Sequence, residues 1–174
     1  MIRKFIFIIF ITFLPFNAFA LIEVDITRGN LDPLPLAVSP LSIDDLSKKS
    51  FNKILNKENI GSEISIIVEN NLRTSGLFNP LSKDAFLQAP EIANLKPRFE
   101  DWNLIKAQAL ITGKVSYVNE KLRVEFRLWD VLAAKEMLAL AFTTVPSNWR
   151  RVGHIISDKV YERLTGEKGY FDTR

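Results

Sequence analysis

The side chains that most often carry out catalysis or bind metals are scarce in this chain. The 174 residues include no cysteine and a single histidine, His154. Without cysteine there is no thiol nucleophile, no thiolate metal site and no acylated cysteine for a lipid anchor. One histidine cannot supply the several ligands that a structural metal requires. We therefore predict that the protein uses neither a metal nor a cofactor.

The acidic and hydroxyl side chains form no recognisable catalytic pattern either. The sequence has no Gly-x-Ser-x-Gly elbow, no phosphate-binding glycine loop and no His-Glu-x-x-His pair. Glu100 and Asp101 are adjacent, so on a helix they would point in different directions and would not form a glycosidase-like pair. We predict that the chain is not an enzyme. An exported hydrolase would need a site made only of Asp, Glu, Ser or Lys.

The first 20 residues have the three parts of an export signal. Two basic residues precede an almost wholly apolar run at 5–16, and residues 18–20 read Ala-Phe-Ala, a small-x-small cleavage site. The run is roughly a dozen residues long, whereas a membrane-spanning helix needs about 20. We predict a signal peptide at 1–20 and a mature protein that begins at Leu21, without a transmembrane anchor.

The mature chain has nearly balanced charge and the length of one domain. Without the two basic residues of the signal, the 23 Lys and Arg residues fall to 21, against 20 Asp and Glu residues. Charges of both signs are interspersed, so the chain lacks the basic footprint of a nucleic-acid-binding protein. We exclude nucleic acid as a partner.

The mature amino terminus predicts a short strand that is separate from the rest of the chain. A turn-rich segment at 28–33 follows it. From the residues alone, this strand is either an edge strand of its own domain or a tail that adds to another protein's sheet. The strand is predicted from the alternation of apolar and acidic residues at Ile22, Glu23, Val24, Asp25 and Ile26.

The sequence of the first half of the main domain indicates only a few regular secondary-structure elements. Residues 34–38 predict a strand, and the prolines at 33, 35 and 40 indicate an edge or irregular one. The polar, lysine-rich segment 44–59 predicts a mobile loop with one helical turn and a solvated face. Ser62 is a candidate cap for a helix that ends at Gly76, and a short strand is predicted at 84–87.

The second half predicts a meander followed by a helix. Alternation of apolar and charged residues is clearest at 122–128, after a predicted hairpin turn at Asn119 and Glu120. The elements are a short helix, three strands and a final helix that Ser147 opens and Gly166 closes, at 99–106, 107–115, 122–128, 136–145 and 147–166. This order predicts an α/β (α+β) domain, a two-layer sandwich with a mixed sheet and two long helices packed on one face.

Three segments resemble the TolB amino-terminal domain family. Residues 67–81 carry an "LR-SG-F-PL" ending, and residues 102–115 run from a tryptophan to a Gly-x-Val strand. Residues 154–174 carry the pattern "H-SD---E-LTG-KG-F-TR", which is the most specific of the three. The resemblance spans nearly the whole mature chain.

The resemblance implies a partner-binding function. In this family the domain precedes a β-propeller that binds the peptidoglycan-associated lipoprotein Pal, and the mature tail engages the inner-membrane protein TolA. It implies a periplasmic component of the Tol-Pal envelope complex that supports outer-membrane integrity and invagination during cell division. Ile22, Val24 and Ile26 match the TolA-binding tail, with Glu23 and Asp25 on its opposite edge.

Three residues of the carboxy-terminal pattern match the family without suggesting chemistry. We interpret His154, Asp158 and Thr165 as helix and cap residues.

The resemblance also implies a division of the chain. The sequence stops at Arg174, about where the family's propeller begins. We therefore expect a partner-binding tail at 21–33, an α/β domain at 34–166 and a linker at 167–174 to an absent β-propeller. The alternative is a stand-alone periplasmic regulatory module that docks on a cell-wall synthase. We expect such modules to be lipid-anchored, and the lack of cysteine argues against that version.

Overall fold

The computed structural model describes residues 32–173. Six strands lie in one mixed sheet: β1 Leu34–Val38, β2 Ser42–Ile43, β3 Phe78–Pro80, β4 Ala109–Val118, β5 Lys121–Asp130 and β6 Lys135–Thr144. The helices are α1 Asp45–Leu55, α2 Ile60–Thr74, α3 Pro90–Leu95, α4 Phe99–Leu104 and α5 Trp149–Thr165. Short 3₁₀ turns occupy Lys83–Ala85 and Pro146–Asn148. None of the helices in residues 32–173 has the length and apolar character needed to cross a bilayer.

The sheet combines a parallel half with an antiparallel half. Its strand order is β3-β1-β4-β5-β6, and β2 pairs with β4 farther along that strand. β1 runs parallel to both β3 and β4, whereas β4, β5 and β6 form the predicted antiparallel meander. Asn119 and Glu120 both have positive φ angles, 50° and 61°, the backbone that a tight two-residue hairpin requires. The predicted meander and its first turn are therefore confirmed.

The two long helices, α2 and α5, pack on one face of the sheet and against each other. Fully buried residues of the strands and of α5 meet in this main core, among them Leu36, Ile111, Val124 and Ile156. The predicted fold class is confirmed: a mixed α/β sheet with two long helices on one face.

A second, smaller core covers the opposite face of β1 and β4. Ala37 and Leu110 alternate along their strands with residues of the main core, so they point to the other side, where Trp102 and Ala93 of the short helices bury them. β4 is thus buried on both faces, as its continuous apolar sequence predicts. The partial third layer formed by α3 and α4 was not predicted.

The segment 44–59 is not a loop with one helical turn; the prediction is wrong, because most of it forms α1. Asp44 caps this helix, since its carboxylate accepts the Ser47 N–H at 2.9 Å. The same bond is the main reason why the pKa of Asp44 is lowered. Phe51 is fully buried and meets the Tyr117 ring edge-on at 5.4 Å. The cap stabilises the first turn of this polar helix, and the deeply buried Phe51 anchors the helix to the sheet.

β1 is an internal strand and not an edge strand, contrary to the prediction from its prolines. It pairs with β3 on one side and with β4 on the other. Pro35 lacks only the donor of a backbone pair, and its carbonyl still accepts the Gln108 N–H at 2.9 Å. Because Pro35 lies next to the beginning of the strand, the ladder loses little there.

Three predicted boundaries are also corrected. The strand predicted at 84–87 lies instead at Phe78–Pro80. α2 begins at Ile60 and not after Ser62, and α5 begins at Trp149, after the 3₁₀ turn that contains Ser147.

A tertiary contact fixes the first turns of α2. The Ser65 hydroxyl oxygen accepts the Leu41 N–H at 2.9 Å. A Cβ at Gly61 would collide with the Leu41 carbonyl, so only glycine lets the helix approach so closely.

We expect Ile156→Ala to destabilise the domain, because Ile156 is buried in the same core as Val124 and Phe126 of β5. Large-to-small changes at such sites cost about 2–5 kcal/mol of unfolding free energy. Lys159→Ala, on the exposed side of α5, should cost far less. Urea denaturation of both variants provides the measurement, and equal losses would contradict this orientation of α5.

Candidate protein-interaction site

The predicted partner-binding residues lie outside the described residues; they are Ile22, Glu23, Val24, Asp25 and Ile26. The structure does describe the point where the tail joins the domain. Residues 32 and 33 lead into β1, and the Leu34 N–H donates to the Leu77 carbonyl at 2.9 Å. The tail therefore starts from a strand that is bonded on both sides.

The chain after α5 folds back along that helix. We call residues 166–173 the carboxy-terminal clasp. Asp158 holds it, because its carboxylate accepts the backbone N–H groups of Phe171 and Asp172 at 2.7 and 3.1 Å. Arg151 forms an ion pair with Asp172 at 3.0 Å. A Cβ at Gly169 would collide with Asp158, so glycine is required where the clasp passes the helix.

An aromatic cluster connects the clasp with the start of the tail. The Tyr161 ring contacts Tyr170 and Phe171 of the clasp, with centroid distances of 5.4 and 5.9 Å. On its other side it contacts Phe78 at 6.1 Å, and Phe78 pairs in register with Leu34. Burial is the main reason why the pKa of Tyr161 is raised, and the nearby side chains of Tyr170 and Glu167 raise it further. The two ends of the described chain are therefore joined through Tyr161.

The polar residues of the carboxy-terminal pattern form contacts within the domain, as expected of helix and cap residues. His154 Nδ1 lies 2.9 Å from Asn71 Nδ2, and the same amide donates to the Ser157 hydroxyl, which joins α2 to α5. The Thr165 hydroxyl donates to the Tyr161 carbonyl and accepts a backbone N–H just after the helix. Together with Asp158 in the clasp, these contacts explain the pattern by packing and capping.

Several carboxylates in the described part of the chain are engaged in ion pairs. Burial alone would raise the pKa of Glu69, but hydrogen bonds from Arg73 and Lys83 outweigh it and lower that pKa, so Glu69 is ionised at neutral pH. Asp101 pairs with Arg98 at 2.6 Å. Within residues 32–173, no group of three or more His, Cys, Asp or Glu side chains could hold a metal ion.

A groove between β6 and α5 was not predicted from the sequence. We call it the edge groove; it holds about 250 Å³ and is lined by Phe142, Thr143, Thr144, Asn148, Arg151, Val152 and Ile155. β6 ends the sheet in the described part of the chain. Its core-facing residues Leu138, Leu140 and Phe142 are only half-buried, because α5 covers them incompletely. A sequence signal existed: apolar residues of the last meander strand alternate with small alanines.

Comparison with known proteins assigns the family. The TolB amino-terminal domain model matches residues 22–137. The Tol-Pal system protein TolB of Pelagibacter ubique (strain HTCC1062) is 79% identical over 174 residues, which are 100% of this chain and 39% of that protein. The crystal structure of TolB from Acinetobacter baumannii shares the fold with a TM-score of 0.64 and 23% identity, over 87% of this chain and 33% of that one. The chain belongs to the TolB amino-terminal domain family.

Proposed function

We propose that this chain works in the periplasm as a component of the Tol-Pal system that binds other proteins, and that its mature tail binds TolA. The observation that carries the proposal is the 79% identity to a Tol-Pal system protein TolB over every residue of the chain. Because the chain covers 39% of that relative's length, the activity of the whole protein is itself part of the proposal. The role proposed is binding and not catalysis.

The form of the tail supports binding by strand addition. Apolar and acidic residues alternate at 22–26, so one face of an extended strand would be apolar and the other charged. Strand addition takes its affinity from backbone hydrogen bonds and its specificity from alternate side chains. Ile22, Val24 and Ile26 are the side chains that would enter the partner's groove.

The attachment of the tail supports the same role. The tail is attached to the internal strand β1, and the sequence Arg-Gly-Asn-Leu at residues 28–31 favours a turn between them. A firmly bonded attachment point next to a turn-favouring sequence suits a segment that docks on another protein.

Further elements of the proposal concern the rest of the system. The signal-like residues 1–20 would direct export to the periplasm. Binding of Pal would use the propeller of full-length family members, and the complete protein would support outer-membrane integrity and invagination during division.

Deletion of the tail provides the test. We expect the mature protein to bind the carboxy-terminal domain of TolA in calorimetric titration, and a variant that lacks residues 21–27 to show no binding. Both proteins should unfold at the same urea concentration, because the deletion stops short of β1. Undiminished affinity after the deletion would refute the tail hypothesis and return these residues to an ordinary edge strand.

A further inference from the structure

The outer edge of β6 exposes unpaired backbone groups. Among residues 32–173, β6 pairs only with β5, so its other side carries N–H and C=O groups without strand partners. Ten residues make it a long edge. Exposed edges of this kind are templates for pairing with another chain, and proteins usually blunt them.

One end of this edge is closed by α5. A register shift at Leu128 and Trp129 leaves Met137 as an extra residue in β6. Arg163 donates from Nε to the Met137 carbonyl at 3.2 Å, which occupies that backbone acceptor. Residues 138–144 remain available, a length of roughly 23 Å at the usual rise of a strand.

The open part of the edge borders the edge groove. Leu140 and Phe142 are half-buried on the side that faces α5, and Val152 and Ile155 of α5 form the opposite wall near Phe142. An edge strand that lies beside a helix, with an apolar groove between them, suits strand addition. The backbone of an added strand would pair with β6, and every second side chain would enter the groove.

Apart from Arg151, which forms an ion pair with Asp172 of the clasp, the wall formed by α5 changes from apolar to basic along the groove. Ile155, Lys159 and Arg163 follow one another at intervals of four residues, so they lie on the same flank of the helix. Ile155 lines the groove beside Phe142, and Arg163 reaches Met137, which places Lys159 between them. The side chain of Lys159 is 45% exposed and forms an ion pair with Glu162 at 2.8 Å.

This charge arrangement argues against a second copy of the chain as the occupant. If two β6 strands paired antiparallel with Leu140 at the centre, the two Lys159 side chains would meet across the symmetry axis. Two like charges brought this close repel each other, which disfavours this self-pairing. The same lysine attracts a strand that carries acidic residues.

We propose that the edge groove binds an extended segment of another protein by strand addition to residues 138–144 of β6. The segment carries apolar side chains beside Phe142 and Ile155 and acidic side chains beside Lys159 and Arg163. This surface differs from the amino-terminal tail in kind, because the tail offers a strand and the edge groove accepts one.

Two synthetic heptapeptides test the proposal: acetyl-Glu-Thr-Glu-Thr-Ile-Thr-Ile-amide and the peptide of reverse order, which covers both strand directions. We expect one of them to bind the ¹⁵N-labelled mature protein and to shift amide resonances of β6 and α5. The Lys159→Glu variant should bind it about five- to tenfold more weakly, since an attraction becomes a repulsion. Lys159→Arg should retain the affinity, and Lys49→Glu, an equal charge reversal on distant α1, should not change it.

Several results would overturn the proposal. Binding of neither peptide, resonance shifts away from β6, equal affinity for a version with lysine in place of glutamate, or equal affinity for an N-methylated version would exclude this mode of recognition. Concentration-dependent dimers in sedimentation would assign the edge to a second copy. Peptide binding that appears only after deletion of residues 21–27 would assign the groove to the chain's own tail. Because the peptides contain no TolA sequence, these outcomes are independent of the proposed TolA binding.

Discussion

We expect the Val24→Pro substitution to abolish binding of the mature protein to the carboxy-terminal domain of TolA. Proline has no backbone N–H and fixes φ near −65°, so it removes a ladder donor at the centre of the tail. It also replaces the central side chain of the apolar set. Because strand addition depends on both, little affinity should survive. Calorimetric titration at matched concentrations gives the measurement.

Glu23→Ala is the matched control for this prediction, because in an extended tail Glu23 would lie on the opposite face from Val24. It preserves the backbone donor and the apolar set, so its affinity should stay close to that of the unmodified protein. A loss of binding in Glu23→Ala equal to that in Val24→Pro would show that charge, and not strand pairing, controls recognition. Unchanged binding by Val24→Pro would exclude strand addition through the tail.

We expect Trp102→Ala to lower the free energy of unfolding by about 3–5 kcal/mol, the usual cost of removing a buried aromatic side chain. Trp102 is 1% exposed at the centre of the second core, and its ring meets Phe86 edge-on at 5.0 Å. Its indole N–H donates to the Gln88 side chain at 3.0 Å. Gln88 also accepts the Arg98 N–H, so the tryptophan helps to fix the loop between α3 and α4.

Two further variants complete this test. The first separates packing from hydrogen bonding, and the second is an exposed control in the same helix. Trp102→Phe preserves a ring but removes the indole donor, and should lose less than the alanine variant because the ring still fills much of the site. Leu104→Ala, in the same helix but 74% exposed, should change stability by no more than about 0.5 kcal/mol. Urea denaturation measures all three. Equal effects of Trp102→Ala and Leu104→Ala would contradict the burial of α4 against the sheet.

The meander and the last helix could be predicted because their signals are local. In β5, buried Leu122, Val124, Phe126 and Leu128 alternate with partly exposed residues, as the sequence indicates. Gly166 has a φ of 74° and ends α5 where a left-handed residue was expected. These features depend on neighbouring residues and not on distant contacts.

Features that depend on distant contacts could not be predicted. α1 is stabilised by Phe51, whose partner Tyr117 lies on β4, and its lysine-rich sequence gives no sign of that contact. The internal position of β1 follows from its pairing with β3 and β4, which its prolines obscure. The clasp depends on Asp158, a residue that the pattern contains but whose backbone partners only the fold reveals.

The two candidate interaction sites, the tail and the edge groove, also differ in how far the sequence could predict them. The tail residues were assigned through a family resemblance, since alternation alone left an ordinary edge strand equally open. The edge groove arises because α5 covers β6 incompletely. The spacing of residues in the sequence does not predict how much of a sheet a helix covers.

The root of the tail in an internal strand determines how the domain responds when it is pulled. A force on the tail enters at Leu34 and acts along β1, which is bonded to β3 and to β4. Bonds on both sides of the strand then carry the load in shear and must break together, whereas an edge strand peeled sideways loses its bonds one at a time. Leu36, two residues later, is fully buried, and its packing in the main core also holds the strand in place. We therefore expect the domain to resist a pull that is applied through the tail.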